Sequence, residues 1–196
     1  MNTITILIEG YAHPGKDGIY IASPTTTLID TVTKKFIVDP GTNSKLLLEA
    51  LSKNNLKISD ITGVYLSHYH PDHFLNIRLF PGVDIYDGGI MWREDEEHFY
   101  KDYLPGTDIK ILSTPGHSPE DATLLVTTKD GTVAIAPDVF WWEDGEQKSD
   151  TVEDLMNLVD PFATDIEALK KSRQTVLEVA DFIIPGHGKM FKNPQK

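Results

Sequence analysis

The segment His68-Tyr69-His70-Pro71-Asp72-His73 constrains this chain more than any other part of its sequence. It holds three of the seven histidines, together with a carboxylate. Residues 63–67 before it form a short apolar run that predicts a buried strand, so the segment begins where a strand ends. In such a loop His68 and His70 can face one side while Asp72 and His73 face the other. That geometry suits two adjacent metal ions, or one ion with a second polar shell, and we interpret the segment as a metal site.

Three more candidate ligands each follow an apolar run. His117 comes after residues 109–112, Asp138 after residues 132–137 and His187 after residues 182–184. Such runs predict strands, and loops at strand ends are where a rigid scaffold can hold a ligand in place. We therefore expect these three side chains to complete the site that begins at His68.

The order of these residues, HxHxDH followed by His, Asp and His, resembles the metallo-β-lactamase superfamily over nearly the whole chain. The resemblance implies an α+β fold, an αββα sandwich of two mixed β-sheets flanked by helices, with metals at one edge between the sheets. It also implies a single domain of this type over residues 1–196. The predicted strands fall in two groups, each with helices, as such a layered fold requires.

The resemblance also implies a division of ligands between two ions. The first would be held by His68, His70 and His117, the second by Asp72, His73 and His187, with Asp138 bridging both. The implied enzyme is a binuclear metal-dependent hydrolase that uses a metal-bridging hydroxide. Asp72 would also be catalytic, as a proton acceptor or donor. We expect two divalent ions, zinc first, although imidazole and carboxylate ligands also accept manganese and iron.

Three activities remain open at this stage. A small ester, thioester or lactone is the expected substrate, and the alternatives are a phosphodiesterase or ribonuclease and a mono-iron persulfide dioxygenase. Residues 79–83, 114–121 and 180–188 resemble a short group called metallo-β-lactamase domain-containing protein 1, which implies RNA cleavage. A net charge of −12 argues against a nucleic-acid partner. Leu75 and Pro137 stand where the superfamily pattern has glycine, and we expect both to shape the pocket wall.

Composition restricts the setting of the site. The chain has no cysteine, which excludes disulfides and the cysteine ligand used by some β-lactamases. No apolar run approaches the roughly 20 residues needed to cross a membrane, and the start lacks the features of a signal peptide. We expect a soluble, cytoplasmic protein that acts on a small molecule and does not associate with a membrane. Whether it forms a homo-oligomer stays open.

The remaining pattern predicts conventional elements. Strands are expected at residues 4–8, 25–30 and 34–39, a helix after a cap at Thr42 or Asn43, and further helices at residues 151–159 and 165–180. Residues 10–18 are expected to form a glycine-rich loop, and residues 94–97 a solvated helix face or loop. The roles of His13, Asp39, Trp141 and Trp142 stay open: Asp39 either orients a ligand or fixes a turn, and one tryptophan either packs or walls the pocket. His98 lies outside the ligand pattern.

Overall fold

Two β-sheets pack face to face and carry helices on their outer faces. The computed structural model describes residues 1–196 and has the αββα arrangement expected from the sequence, so the α+β fold class is confirmed. The strands are β1 (Thr3–Ile8), β2 (Tyr11–Pro14), β3 (Tyr20–Ser23), β4 (Thr26–Asp30), β5 (Lys35–Val38), β6 (Gly63–Tyr65), β7 (Asp84–Tyr86), β8 (Ile90–Arg93), β9 (Glu96–Phe99), β10 (Lys110–Ser113), β11 (Ala122–Thr128), β12 (Gly131–Ile135), β13 (Phe182–Ile184) and β14 (Phe191–Lys192). The α-helices are α1 (Ser44–Lys53), α2 (Pro71–Phe74), α3 (Val152–Met156) and α4 (Ile166–Val179).

The first sheet has seven strands in the order β1-β4-β5-β6-β7-β8-β9. Its centre, β5-β6-β7, is parallel, and the flanking pairs are antiparallel. Parallel neighbours need a crossover connection, which α1 supplies between β5 and β6. The second sheet has the order β10-β11-β12-β13-β14, and α4 makes the same kind of crossover between the parallel strands β12 and β13. Both sheets are therefore mixed.

Side chains of one strand serve two separate cores because they alternate between the faces of a sheet. In β5, Phe36 and Val38 join the core that contains residues of both sheets, whereas Ile37 packs with Leu47 of α1. In β13, Ile183 belongs to the core under α4. The chain thus has one core between the sheets and one under each outer helix.

The helix caps follow the sequence signals. Asn43 accepts a hydrogen bond from the backbone N–H of Leu46 at the start of α1, and Asp165 accepts one from Ala168 at the start of α4. The predicted helix over residues 151–159 is shorter than expected and spans only Val152–Met156. None of the helices is long and apolar enough to cross a lipid bilayer.

Two sequence-based expectations were wrong. Residues 10–18 do not form only a loop, because β2 pairs with β3 in a separate hairpin. Residues 94–97 are neither a helix face nor a simple loop, since they contain the turn between the antiparallel strands β8 and β9. In both places pairing with a neighbouring strand overrides weak local preferences, which single-sequence patterns do not register.

Replacing Phe36 by alanine is expected to lower the free energy of unfolding by about 3–5 kcal/mol, because Phe36 is fully buried and its ring packs edge-on against Tyr86. Urea denaturation of protein treated with a chelator measures the loss. Phe99→Ala is the control, since Phe99 is 76% exposed on the edge strand β9 and its loss should change stability by less than about 0.5 kcal/mol. Equal losses from the two variants would contradict this description of the core.

Candidate metal centre

The structure brings all seven candidate ligands to one edge of the sandwich. The segment after β6 carries four of them, with His68 and His70 in a loop and Asp72 and His73 in the short helix α2. The second sheet contributes His117 after β10, Asp138 after β12 and His187 after β13. Their ligand atoms form two groups, each lying within 4.8 Å of one another: His68, His70, His117 and Asp138; and Asp72, His73 and His187. The two groups separate the six other ligands as expected from the sequence, and Asp138, expected to bridge, falls in the first group.

Asp138 stands between the two groups and turns one carboxylate oxygen toward each. Its Oδ2 lies 3.2 Å from Nε2 of His117 and 3.7 Å from Nε2 of His68. Its Oδ1 lies 3.5 Å from Nε2 of His73 and 3.8 Å from Nε2 of His187. A carboxylate placed in this way can ligate two ions at once.

Several atoms of the cluster are buried without a protein partner. Nε2 of His68, Nε2 of His73 and Oδ1 of Asp138 have no hydrogen bond although they are inaccessible to solvent. Buried polar atoms are normally paired, and leaving one unpaired costs about 1–3 kcal/mol. Because these atoms converge on the same two groups, the donor set fits divalent cations, which would satisfy all three.

Asp39 fixes the orientation of two histidines in the segment after β6, His68 and His73. Its Oδ2 lies 3.0 Å from Nδ1 of His73 and accepts a hydrogen bond from the Ser67 hydroxyl, which in turn lies 3.0 Å from Nδ1 of His68. Ligand histidines commonly hold their second ring nitrogen on a carboxylate or carbonyl in this way. Of the two readings left open by the sequence, the structure favours the orienting role, and Asp39 also adopts a positive φ of 49° at its turn.

Asp160 does the same for His117 and was missed by the sequence analysis. Its buried carboxylate has Oδ2 only 2.7 Å from Nδ1 of His117, while Oδ1 accepts the backbone N–H of Phe162. In the sequence, Asp160 simply follows the helix expected at residues 151–159. The available signal was an acidic residue inside an otherwise apolar segment. The Nδ1 atom of His187 is held by a backbone group instead, 3.0 Å from the carbonyl oxygen of Tyr11.

Two glycines allow the ligand loops to approach their neighbours. A Cβ on Gly186 would lie 1.8 Å from Oδ1 of Asp138, and one on Gly116 would lie 2.3 Å from the backbone nitrogen of Leu169 in α4. Gly116 also has a φ of +141°. Ser172 of α4 donates a hydrogen bond to the carbonyl of Pro115. Close packing against α4 therefore sets the position of the loop that carries His117.

The carboxylates around the site favour protonated imidazoles. Burial opposes a charge on His73, but Asp138 and Asp39 outweigh it and hold the pKa of His73 well above its usual value. Burial likewise opposes a charge on His117, yet Asp138 and Asp160 raise the pKa of His117 to about 10. Each of these histidines carries a proton at neutral pH that a cation would have to displace.

His68 shows the opposite effect. Burial, followed by the positive charge of His73, lowers the pKa of His68 to about 2. Burial alone would raise the pKa of Asp138, but His73 and His187 hold it well below its usual value. A neutral imidazole beside an ionised carboxylate is the protonation state that ligation requires.

A cavity of about 430 Å³ opens directly onto the two groups. Apart from candidate ligands, its lining consists of Ala12, Tyr20, Ala22, Pro71, Trp141 and Phe162. The expectation that Leu75 and Pro137 shape this wall was wrong, since neither lines the cavity.

The two adjacent tryptophans have different surroundings. Trp141 walls the cavity, with its ring 5.7 Å from that of Phe162 and 6.1 Å from that of His187. Trp142 packs against Phe191 in the core under α4. Trp141 therefore has the pocket role left open by the sequence, and Trp142 has the packing role.

The other two histidines lie outside the ligand groups. His98 is on the edge strand β9, with Nε2 2.8 Å from a carboxylate oxygen of Glu96. His13 is on β2, with Nδ1 3.1 Å from the carbonyl of Pro14. Neither is brought to the cavity, so His98 provides a control for substitutions at the site.

Comparison with known proteins gives consistent matches. The sequence profile of the metallo-β-lactamase superfamily matches residues 22–188. Metallo-beta-lactamase domain-containing protein 1 of Xenopus laevis is 31% identical over 97% of this chain and 82% of its own length. A Thermotoga maritima protein solved as a candidate metallo-beta-lactamase has a TM-score of 0.72 at 18% identity, covering 97% of this chain and 99% of its own. AidC, a dizinc quorum-quenching lactonase in complex with a product, N-hexnoyl-L-homoserine, has a TM-score of 0.62 at 18% identity, covering 86% and 74%.

Zinc binding to chelator-treated protein at pH 7 is expected to release about two protons per chain, because His73 and His117 must each lose one to become ligands. Apparent affinity should therefore rise with pH. Calorimetric titration in buffers of different ionisation enthalpy counts both the ions bound and the protons released. Binding without proton release, or at a stoichiometry of one ion even in excess zinc, would contradict the ligand assignment.

Proposed function

The chain belongs to the metallo-β-lactamase superfamily and is a metal-dependent hydrolase, and from this premise we propose that it hydrolyses small uncharged esters, thioesters or lactones. We further propose that two divalent cations, zinc first, are held by His68, His70 and His117 on one side and by Asp72, His73 and His187 on the other, with Asp138 shared.

The position of Asp138 carries the binuclear proposal. Its two oxygens face different histidine groups at 3.2–3.8 Å, and the buried nitrogens of His68 and His73 lack any other partner. A single tetrahedral ion would use four ligands and leave the remaining buried groups unpaired. Two ions account for every member of the cluster.

The ions, when bound, supply an activated water and an electrophile that polarises the carbonyl of the substrate. Asp72 supplies the proton transfer. It lines the cavity with 29% of its side chain exposed, and its Oδ2 lies 3.4 Å from Nε2 of His187. Burial would raise the pKa of Asp72, but His187 and His73 hold it below its usual value. An ionised Asp72 can accept a proton from water and pass it to the leaving group.

The cavity lining favours an uncharged substrate with an apolar part. Beyond the candidate ligands it presents aromatic, alanine and proline side chains, and it contains no lysine or arginine. Its volume of about 430 Å³ lies within the range of small-molecule sites. Trp141 and Phe162 stand side by side on one wall and offer a surface for an acyl group.

Charge around the cavity disfavours a long polyanion. Besides the overall charge of −12, an adjacent groove is lined by four carboxylates, Glu9, Glu143, Asp144 and Asp150, with Lys189 as its only cation. The Tyr20 hydroxyl at the cavity donates to Glu143, so this acidic groove and the cavity adjoin. Nucleic-acid binding depends on basic side chains that neutralise phosphates, which supports the acyl substrate over RNA.

Two alternatives remain as outcomes of the test. A phosphodiester would be cleaved by the same ligand set, since two closely spaced ions can also hold the oxygens of a phosphoryl group. A single iron would instead support an oxygen-dependent sulfur reaction, because imidazole and carboxylate ligands accept iron as well as zinc. The pairing of Asp138 with both histidine groups favours two ions over one.

A substrate panel is expected to show metal-dependent turnover of acyl compounds. The panel contains thioesters, lactones, bis-p-nitrophenyl phosphate and single-stranded RNA, each incubated with zinc-loaded protein. Asp138→Ala should lower kcat/KM by more than about a thousandfold, because it removes the ligand shared by both ions. His98→Ala should leave it unchanged. RNA cleavage that exceeds acyl turnover and disappears in Asp138→Ala would replace this proposal with the phosphodiesterase.

Phe162→Ala is expected to reduce selectivity for longer acyl chains. Phe162 is 58% exposed at the rim and packs on Trp141, so its loss removes apolar surface without disturbing a ligand. The ratio of kcat/KM for hexanoyl over acetyl thioesters should fall about tenfold, since exposing about two of the four additional methylenes costs about 0.8 kcal/mol each. Phe99→Ala, which removes an exposed phenylalanine from β9, should leave the ratio unaltered. Identical ratios in all three proteins would place the acyl chain elsewhere.

A further inference from the structure

Arg173 of α4 is an almost fully buried arginine. Only 2% of it is exposed, and its guanidinium lies 5.9 Å from the centre of the Phe140 ring. Burial lowers the pKa of Arg173 to about 10, while the carboxylate of Asp160 opposes that change. The side chain therefore stays charged at neutral pH, in a place where a charge is costly unless it makes specific hydrogen bonds.

Two of its nitrogens donate hydrogen bonds to different loops, while Nη2 is buried without a partner. Nε donates to the carbonyl of Val139 at 2.9 Å, and Nη1 donates to the carbonyl of Leu158 at 2.6 Å. Val139 directly follows the shared ligand Asp138, and Leu158 lies two residues before Asp160. A single planar guanidinium thus joins the loop after β12 to the segment between α3 and α4.

Both loops carry a carboxylate that contacts the same candidate ligand, His117. Asp138 places Oδ2 3.2 Å from Nε2 of His117, and Asp160 places its own Oδ2 2.7 Å from Nδ1 of that ring. His117 therefore lies between two carboxylates, and Arg173 binds a backbone carbonyl within two residues of each. The guanidinium has its donors in a rigid planar arrangement, so it sets the distance between the two carbonyls as a flexible side chain could not.

We infer that Arg173 is a positioning residue for the metal centre: by tying the carbonyls of Val139 and Leu158 together, it fixes His117 and Asp138 in the geometry that holds the first cation. The inference rests on the proposed metal centre. Ordinary packing does not explain the residue, since Leu169, Val176 and Leu177 already bury the apolar side of α4. An apolar side chain would fill the space without burying a charge.

The effect on the two ions should be unequal. The group of His68, His70 and His117 depends on Arg173 twice, through Asp138 and through Asp160. The group of Asp72, His73 and His187 depends on it only through the shared Asp138. Loss of the guanidinium should therefore weaken the first cation much more than the second, which a general loss of stability would not do.

The test compares zinc affinity in Arg173→Met, Arg173→Lys and Leu177→Ala. Leu177 is fully buried on the same helix, and its apolar side chain donates no hydrogen bond to either loop, so its alanine variant controls for destabilisation. Arg173→Met should lose about 10- to 100-fold in affinity for one ion, the usual range for groups that orient a ligand. Arg173→Lys retains the charge but has only one nitrogen for two carbonyls, and should lie between wild type and Arg173→Met. Circular dichroism identifies the variants that are folded.

Single-site backgrounds assign the loss to an ion. In His187→Ala, which disables the second group, Arg173→Met should weaken the remaining ion by the full factor. In His117→Ala, which disables the first group, the same change should have an effect of less than about threefold. These affinities are measured by competition with a chromophoric chelator and do not depend on turnover.

The outcomes separate this inference from the proposed function. Losses in Arg173→Met and Arg173→Lys no greater than in Leu177→Ala, or equal in the two backgrounds, would overturn the positioning role while leaving the hydrolase proposal intact. Wild-type protein that binds no zinc would overturn both. If Arg173→Met does not fold, Arg173→Lys against Leu177→Ala decides the question alone.

Discussion

The rest of the site depends on the contacts between the Asp138 carboxylate and the surrounding imidazoles. The carboxylate is buried between four imidazoles, with one oxygen toward each pair. A buried carboxylate needs compensating positive charge, which here comes from histidines whose own pKa values respond to it. Gly186 makes the position available, because any side chain there would occupy the space of the carboxylate itself.

The packing of the two sheets brings together the edges that carry the candidate ligands. The first sheet delivers the loop that begins at His68, and the second delivers His117, Asp138 and His187 from three separate strand ends. Neither sheet carries a complete set. The core between the sheets therefore has a direct role in function, since its packing fixes the distance between ligands that are far apart in the sequence.

Behind the candidate ligands lies a second layer of buried polar groups. Asp39, Asp160 and the carbonyl of Tyr11 hold the outer nitrogens of three histidines, and Arg173 holds the backbone next to two carboxylates. In front of the ligands the cavity is mainly aromatic and apolar. A polar support on one side and an apolar wall on the other suit the proposed hydrolysis of an acyl compound, because apolar surroundings strengthen electrostatic contacts with a carbonyl.

The sequence by itself determined which residues can bind metal and in what order they occur. That order resembles a known superfamily, and the resemblance implied the fold. Those features are local, since each candidate ligand follows a short apolar run that predicts a strand. Only the tertiary structure decided the partners. Asp138 faces both groups, and Asp160 supports His117. Trp141 walls the cavity while Trp142 packs in the core, and β2 pairs with β3. Such relations join residues far apart in the chain, and no local pattern encodes a distance that packing sets.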